Sequence, residues 1–179
     1  MRGQVPPPGF ESLFETTYVP YAESDVVGTL DLPPLPLLHR VHLVASPAPG
    51  LVTVCASAEG WRFLPGGRLE PGESLQRAAE RELEEEAGSR PLGPAEVFYS
   101  QIATSRAPDP YRAHAPHPVA WWSFAVVRTE VTGAPTCPAD GEQIVGVHHL
   151  EADAAAAWLQ VHDPVHAAVV RLAQHLGHV

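Results

Sequence analysis

From Gly66 to Gly88 the chain reads GGRLEPGESLQRAAERELEEEAG, and its acids are spaced in a way that serves no folding core. The second half has helical periodicity, with Leu75, Ala78, Ala79 and Leu83 forming one apolar stripe. At about 100° per residue, Glu82 and Glu86 fall inside that stripe and Glu85 lies at its edge, whereas Glu80 and Glu84 project away. An uncompensated carboxylate on a half-buried face costs on the order of several kcal/mol. Glu84, Glu85 and Glu86 also crowd the last turn, where the helix dipole favours cations. A solvated acidic face accounts for Glu80 and Glu84, with Arg77 nearby, but not for Glu82 and Glu86. A divalent cation would account for them, because hard cations are held by oxygen ligands. Ahead of the helix, Pro65, Gly66, Gly67, Pro71 and Gly72 read as a rigid, tight turn that lets backbone carbonyls approach a ligand. Gly88 ends the helix as a C′ residue.

The order Gly67, five residues, Glu73, seven residues, Arg81-Glu82-Leu83, one residue, Glu85-Glu86, one residue, Gly88 resembles the signature of the Nudix (MutT-like) hydrolase family. Ser89 stands where that pattern has an aliphatic residue, a departure that touches packing and not chemistry. The preceding WRFLPGG resembles the strand that leads into the family's box, and the likeness extends over residues 38–179. It implies an α/β/α sandwich with a mixed β-sheet. It also implies a metal-dependent pyrophosphohydrolase that cleaves a diphosphate linkage in a nucleotide or nucleoside diphosphate derivative, by attack of water at phosphorus. Mg²⁺ or Mn²⁺ is the implied cofactor, with Glu82, Glu85 and Glu86 as ligands, the Gly66 carbonyl as a further one and Glu82 also as general base. Arg81, four residues before Glu85, would hold a carboxylate in place. Glu73 reads either as part of the metal shell or as a cap on the helix. Glu142, on the loop before the final strand, reads as a second acid that binds metal or acts as base, or as a solvated loop carboxylate.

The elements that must position these groups follow from the rest of the chain. Strands are expected at 37–45, 51–56, 61–64, 97–103, 119–128 and 144–150, and helices at 151–160 and 164–176. Asp163 is the N-cap of the last, with Pro164 at N1. Residues 1–37 read as an irregular arm whose Phe10, Phe14, Tyr18 and Tyr21 could pack a short strand or hairpin on the domain or on a second subunit of a homodimer. With 179 residues and 45% hydrophobic content, the chain can build one core and has little room for two. The loop 103–118 is too long and proline-rich for a tight hairpin. Its Arg106 and Arg112 could meet substrate phosphates and its Tyr111 a base, or all three could be plain surface residues.

Composition limits the partners. Net charge is −10 and all 11 basic residues are Arg, which argues against a nucleic-acid polymer and suits a small phosphorylated substrate brought in with metal. No segment approaches 18 unbroken apolar residues, so no membrane span is expected. Cys55 and Cys137 read as reduced thiols, MRGQVPPPGF lacks an apolar leader core, and a cytoplasmic protein is expected. The ten histidines show no HExxH spacing and read as core or surface residues, with His148 or His149 near enough to the last strand to touch a substrate. Two other classes fit the same fold: a non-catalytic nucleotide sensor and a diphosphate isomerase. The intact set Arg81, Glu82, Glu85 and Glu86 counts against the sensor. Neither cysteine sits in a persuasive context for the isomerase.

Overall fold

The computed structural model describes residues 5–138 and 141–179. β1 (Thr17–Val19) and β2 (Ser24–Thr29) form a hairpin, and β3 (Leu38–Ser46), β4 (Leu51–Ser57), β5 (Arg62–Phe63) and β6 (Gly66–Arg68) lead into α1 (Leu75–Ala87). β7 (Ser89–Pro91), β8 (Glu96–Ser105), β9 (Val119–Val131) and β10 (Ile144–Glu151) follow, and α2 (Ala152–Leu159) and α3 (Pro164–His175) come last. The larger sheet runs β1-β2-β8-β9-β3-β6, with β7 also pairing with β9. β3 and β9 are parallel and their neighbours antiparallel, so the sheet is mixed. A smaller antiparallel sheet runs β10-β4-β5.

Alternation along β3 sorts its side chains onto two faces. Val41, Leu43 and Ala45 pack with Ala125 and Val127 of β9 against Ala78, Ala79, Leu83 and Ala87 of α1. Val44, Phe124 and Tyr99 face the opposite way and meet Val52, Val54, α2 and α3. Helices therefore cover both sides, which is the sandwich of mixed α/β class that the sequence implies. The alanines keep α1 close to β3, while Leu83, fully buried, contributes on the order of 2 kcal/mol to holding it there. Ser74, not Glu73, caps the helix: its Oγ accepts from the Arg77 N–H at 3.3 Å. At the other end Gly88 adopts φ +55°, the left-handed conformation that terminates the helix.

One expectation needs correction in part. Of the glycines read as a turn, Gly72 does turn, whereas Gly66 and Gly67 form β6, an edge strand in which they pair with His42 and Val41 of β3. The arm carries the short hairpin expected of it, packed on the domain, and β2 pairs along its length with β8. The Tyr99 hydroxyl donates to the Leu13 carbonyl at 2.7 Å, and Phe10 and Phe14 pack on the main core. No helix among the described residues is long and apolar enough to cross a membrane.

A histidine pair, His166 buried and His42 half-buried, sits where α3 meets β3. The His42 and His166 rings are 4.6 Å apart between centroids, and the Leu64 N–H donates to His166 Nδ1 at 3.2 Å. That contact makes Nδ1 an acceptor and leaves the proton on Nε2. Burial pushes His166 down to about 3 and His42 well below its usual range.

Candidate active site

Arg81 is the hub of the acid-lined face of α1. Its Nε donates to Glu73 Oε1 at 3.0 Å and its Nη2 to Glu73 Oε2 at 2.9 Å, a two-pronged pairing that fixes the guanidinium plane. Nη1 reaches Glu82 Oε1 at 2.8 Å and Glu85 Oε2 at 3.3 Å, and Nη2 also donates to the Arg68 carbonyl at 3.0 Å. The i,i+4 contact with Glu85 expected from the sequence is present, but Glu73 is the stronger partner. With a further bond from the Glu70 N–H, both Glu73 oxygens are engaged. Glu73 thus clamps Arg81 and ties the β6–α1 loop to the helix.

Glu86 lies one turn beyond Glu82. Gly66 donates its N–H to Glu86 Oε2 at 2.8 Å, and the Cys55 thiol donates to the Glu86 backbone carbonyl at 3.3 Å. The absence of a side chain at Gly67 is what admits Glu82: a Cβ there would lie 2.3 Å from Glu82 Oε1. Glu82 and Glu86 are buried, at 5% and 8% exposure, as the apolar stripe requires. Glu84 is exposed, and Glu80 pairs with Arg77 at 2.9 Å.

The electrostatics follow from this burial. Desolvation raises Glu86 to about 8, with the Glu82 charge adding to it and Glu142 contributing from across the site. Desolvation also raises Glu82, against the opposing pull of Arg81. Arg81 itself is held more firmly protonated, first by its hydrogen bonds to Glu73. Among the described residues no three acids, histidines or cysteines converge as a ready-made cation site. The carboxylates instead lean on Arg81 and on the Gly66 N–H. The donor set nonetheless fits a hard cation: two buried carboxylates whose charge one guanidinium does not fully offset, with Glu85 beside them.

Glu86 and His166 push acid stability in opposite directions, which makes their separation a test. The Glu86 pKa is raised on folding, so its stabilising contribution is present below about 4.5 and lost as pH rises towards 8. The His166 pKa is depressed, so its contribution is complete above about 6.5 and lost as pH falls towards 3. Comparing wild type with His166→Gln in EDTA cancels the Glu86 part. The stability advantage of wild type over the variant should shrink by about 1.4 kcal/mol per pH unit between about 6.5 and 5. Urea titrations at the two pH values read this directly, and a pH-independent difference contradicts the neutral buried imidazole.

The remaining expected site residues scatter. Glu142 is exposed on the loop before β10 and close enough to act on Glu86. Arg106 is spoken for: it makes a forked pair with Asp25, with Nε to Oδ2 at 2.8 Å, and stacks on Tyr18 at 4.5 Å. Tyr111 instead lines a cavity of about 350 Å³, together with Tyr21, His39, Arg40, Arg68 and Trp122, and Arg112 lies over the Tyr111 ring at 5.9 Å. Sequence reading missed Arg40 and Arg68, whose meeting depends on the β3–β6 register. His149 bonds to Thr53 Oγ1 at 3.0 Å and His148 packs edge-on to Trp158. A larger open groove of about 740 Å³ lies elsewhere, between the Pro47–Gly50 turn and the C-terminal residues.

A family model described as the NUDIX domain matches residues 39–173. The chain belongs to the NUDIX family. Its class is that of hydrolases acting on phosphoanhydride bonds. No curated protein matches the sequence. Among solved structures, a mutant of the Bacillus subtilis pyrophosphohydrolase BsRppH aligns with TM-score 0.54 at 18% identity, covering 73% of this chain and 74% of that one. The E. coli ORF135 protein aligns with TM-score 0.52 at 16% identity, over 80% and 95% of the two chains. A NUDIX hydrolase from Nitrosomonas europaea gives 0.52 at 20%, over 78% and 90%. At these identities the likeness concerns the fold. The NUDIX match spans the whole acid-lined segment from Gly66 to Gly88.

Proposed function

We propose that this NUDIX protein is a metal-dependent pyrophosphohydrolase that cleaves the diphosphate linkage of a small nucleotide or nucleoside diphosphate derivative. The observation that carries this reading is the pair of buried carboxylates, Glu82 and Glu86, set one helical turn apart, with Arg81 alone among the described side chains forming an ion pair with either. Glu82, Glu85 and Glu86 would hold Mg²⁺ or Mn²⁺, with Gly66 and Glu142 at the margin. When bound, such an ion neutralises phosphate charge and makes a coordinated water more acidic.

The chain's own groups supply the rest. Glu82 accepts the proton of the water whose oxygen attacks phosphorus, while the bond to the bridging oxygen breaks and the leaving phosphate carries away the electron pair. Arg81, clamped by Glu73, keeps Glu82 and Glu85 in register, so Glu73 and Arg81 are positioning residues. The buried setting of Glu82 favours this role, since desolvation raises its basicity towards that useful near neutral pH. The two cysteines, both free, suit a reducing cytoplasm.

Two measurements test the reading. Hydrolysis of a phosphoanhydride releases acid near neutral pH, whereas isomerisation of a diphosphate does not, so a pH-stat trace separates the two chemistries. Mg²⁺ should also stabilise the fold by about 2.7 kcal/mol at a hundredfold excess over its Kd. That corresponds to a rise in Tm of roughly 5–10 °C for a chain of this size. An unchanged Tm across millimolar Mg²⁺ and Mn²⁺ contradicts a cation held by these carboxylates.

A further inference from the structure

The cavity beside β6 places like charges opposite each other without a counter-ion. Arg40 of β3 and Arg68 of β6 are directly paired across the strands, an arrangement that disfavours the sheet. Neither forms an ion pair with a carboxylate among the described residues, in a chain whose net charge is −10. The Nε–H of each is buried without an acceptor. A buried unsatisfied donor of this kind costs about 1–3 kcal/mol. His39, brought to the same cavity by a bulge in β3, is pushed down to about 4 by burial and then by Arg40 and Arg68. Glu23 and Asp109 stand at the exposed rim, but neither pairs with either arginine.

Aromatic rings complete the arrangement. The Arg40 guanidinium lies over Trp122 at 4.8 Å and over Tyr21 at 5.7 Å, and Arg68 lies over Tyr111 at 5.1 Å. Arg40 Nη1 donates to the Tyr21 hydroxyl at 3.4 Å, and the remaining N–H groups of Arg40 and those of Arg68, held against the rings, present the edges that suit phosphate and carboxylate. The cavity is also separate from the acid-lined helix. Gly67 faces Glu82, so by alternation Arg68 points to the opposite side of β6, on the side of the sheet that carries Trp122.

We propose that this cavity is a second anion subsite, taking a phosphate or carboxylate on the part of the substrate that is not cleaved. The substrate class is then a diphosphate bearing a further oxyanion, passing round the β6 edge from the carboxylates of α1 to Arg40 and Arg68. This rests on the hydrolase reading for its biological setting. Binding in the absence of metal tests it independently, since turnover is not required.

The experiment is isothermal titration of the full-length protein in EDTA with phenyl phosphate, benzoate and benzamide, the last being the neutral counterpart of benzoate. Phenyl phosphate or benzoate should bind at least about tenfold more tightly than benzamide, and the tighter of the two names the oxyanion. Arg68→Gln should lower that affinity by at least about tenfold while its Tm equals or exceeds that of wild type, because one of two facing like charges is gone. Should the variant fail to fold, wild-type affinity for the oxyanion should fall severalfold between about 20 and 200 mM salt while that for benzamide holds. Equal binding of benzamide, no binding of any probe, or full affinity in a folded Arg68→Gln overturns the proposal.

Discussion

Glu82→Gln should lower kcat by about three orders of magnitude and leave the fold intact. The amide keeps the shape of the carboxylate and an oxygen that Arg81 Nη1 can still bond. It loses the negative charge and the ability to take a proton. Stability should not suffer, because burial already disfavours the Glu82 charge and Arg81 retains its two bonds to Glu73. The expected record is a Tm within a few degrees of wild type, a smaller Mg²⁺-induced rise and nearly silent turnover. An unfolded variant would place Glu82 in the structural core, and one with wild-type kcat would remove it from the chemistry.

Substituting the two adjacent glycines should produce opposite failures. Gly67→Ala should cost activity: the new methyl would lie 2.3 Å from Glu82 Oε1, so the carboxylate must swing away. Displacement of a catalytic group by about 1 Å can cost about 100-fold in rate, and kcat should fall by that order with little change in Tm. Gly66→Ala should cost the fold instead. Gly66 sits at φ +145°, and a Cβ would press to 2.2 Å on the Val41 carbonyl, which is backbone and cannot yield. A loss of roughly 3 kcal/mol or more is expected, seen as a lower urea midpoint. If Gly67→Ala retained wild-type kcat, Glu82 would not need its observed position.

The acid-lined helix was legible because its evidence is local. One stripe of Leu75, Ala78, Ala79 and Leu83 orients every neighbour, and the burial of Glu82 and Glu86 follows from helical geometry alone. The strands from β3 to β10 that carry alternating or continuous apolar residues could be read for the same reason. What escaped depends on pairing at long range. Gly-Gly-Arg has poor strand propensity, and it becomes β6 only because β3 supplies partners for its backbone. The place of β2 in the large sheet likewise comes from β8, which lies more than seventy residues away in sequence. The role of Glu73 was hidden because Arg81 chooses among several acids by three-dimensional proximity, and its fork selects the one that presents both oxygens. Arg106 looked like a phosphate ligand in the sequence, yet Asp25 on the neighbouring β2 neutralises it. Arg40 and Arg68, with no such partner among the described residues, are 28 positions apart and meet only through the β3–β6 register.

The account stands most directly on a phosphate-release screen of nucleoside di- and triphosphates, nucleotide sugars and dinucleotides, run with Mg²⁺ or Mn²⁺ and with Glu82→Gln in parallel. Metal-dependent cleavage of at least one diphosphate linkage, lost in Glu82→Gln, is the predicted result. Cleavage that continues in the variant or in EDTA would contradict the role given to the buried carboxylates. Silence across the panel from protein with metal demonstrably bound would contradict a hydrolase of nucleotide-type diphosphates and favour a NUDIX fold that binds its ligand without turning it over.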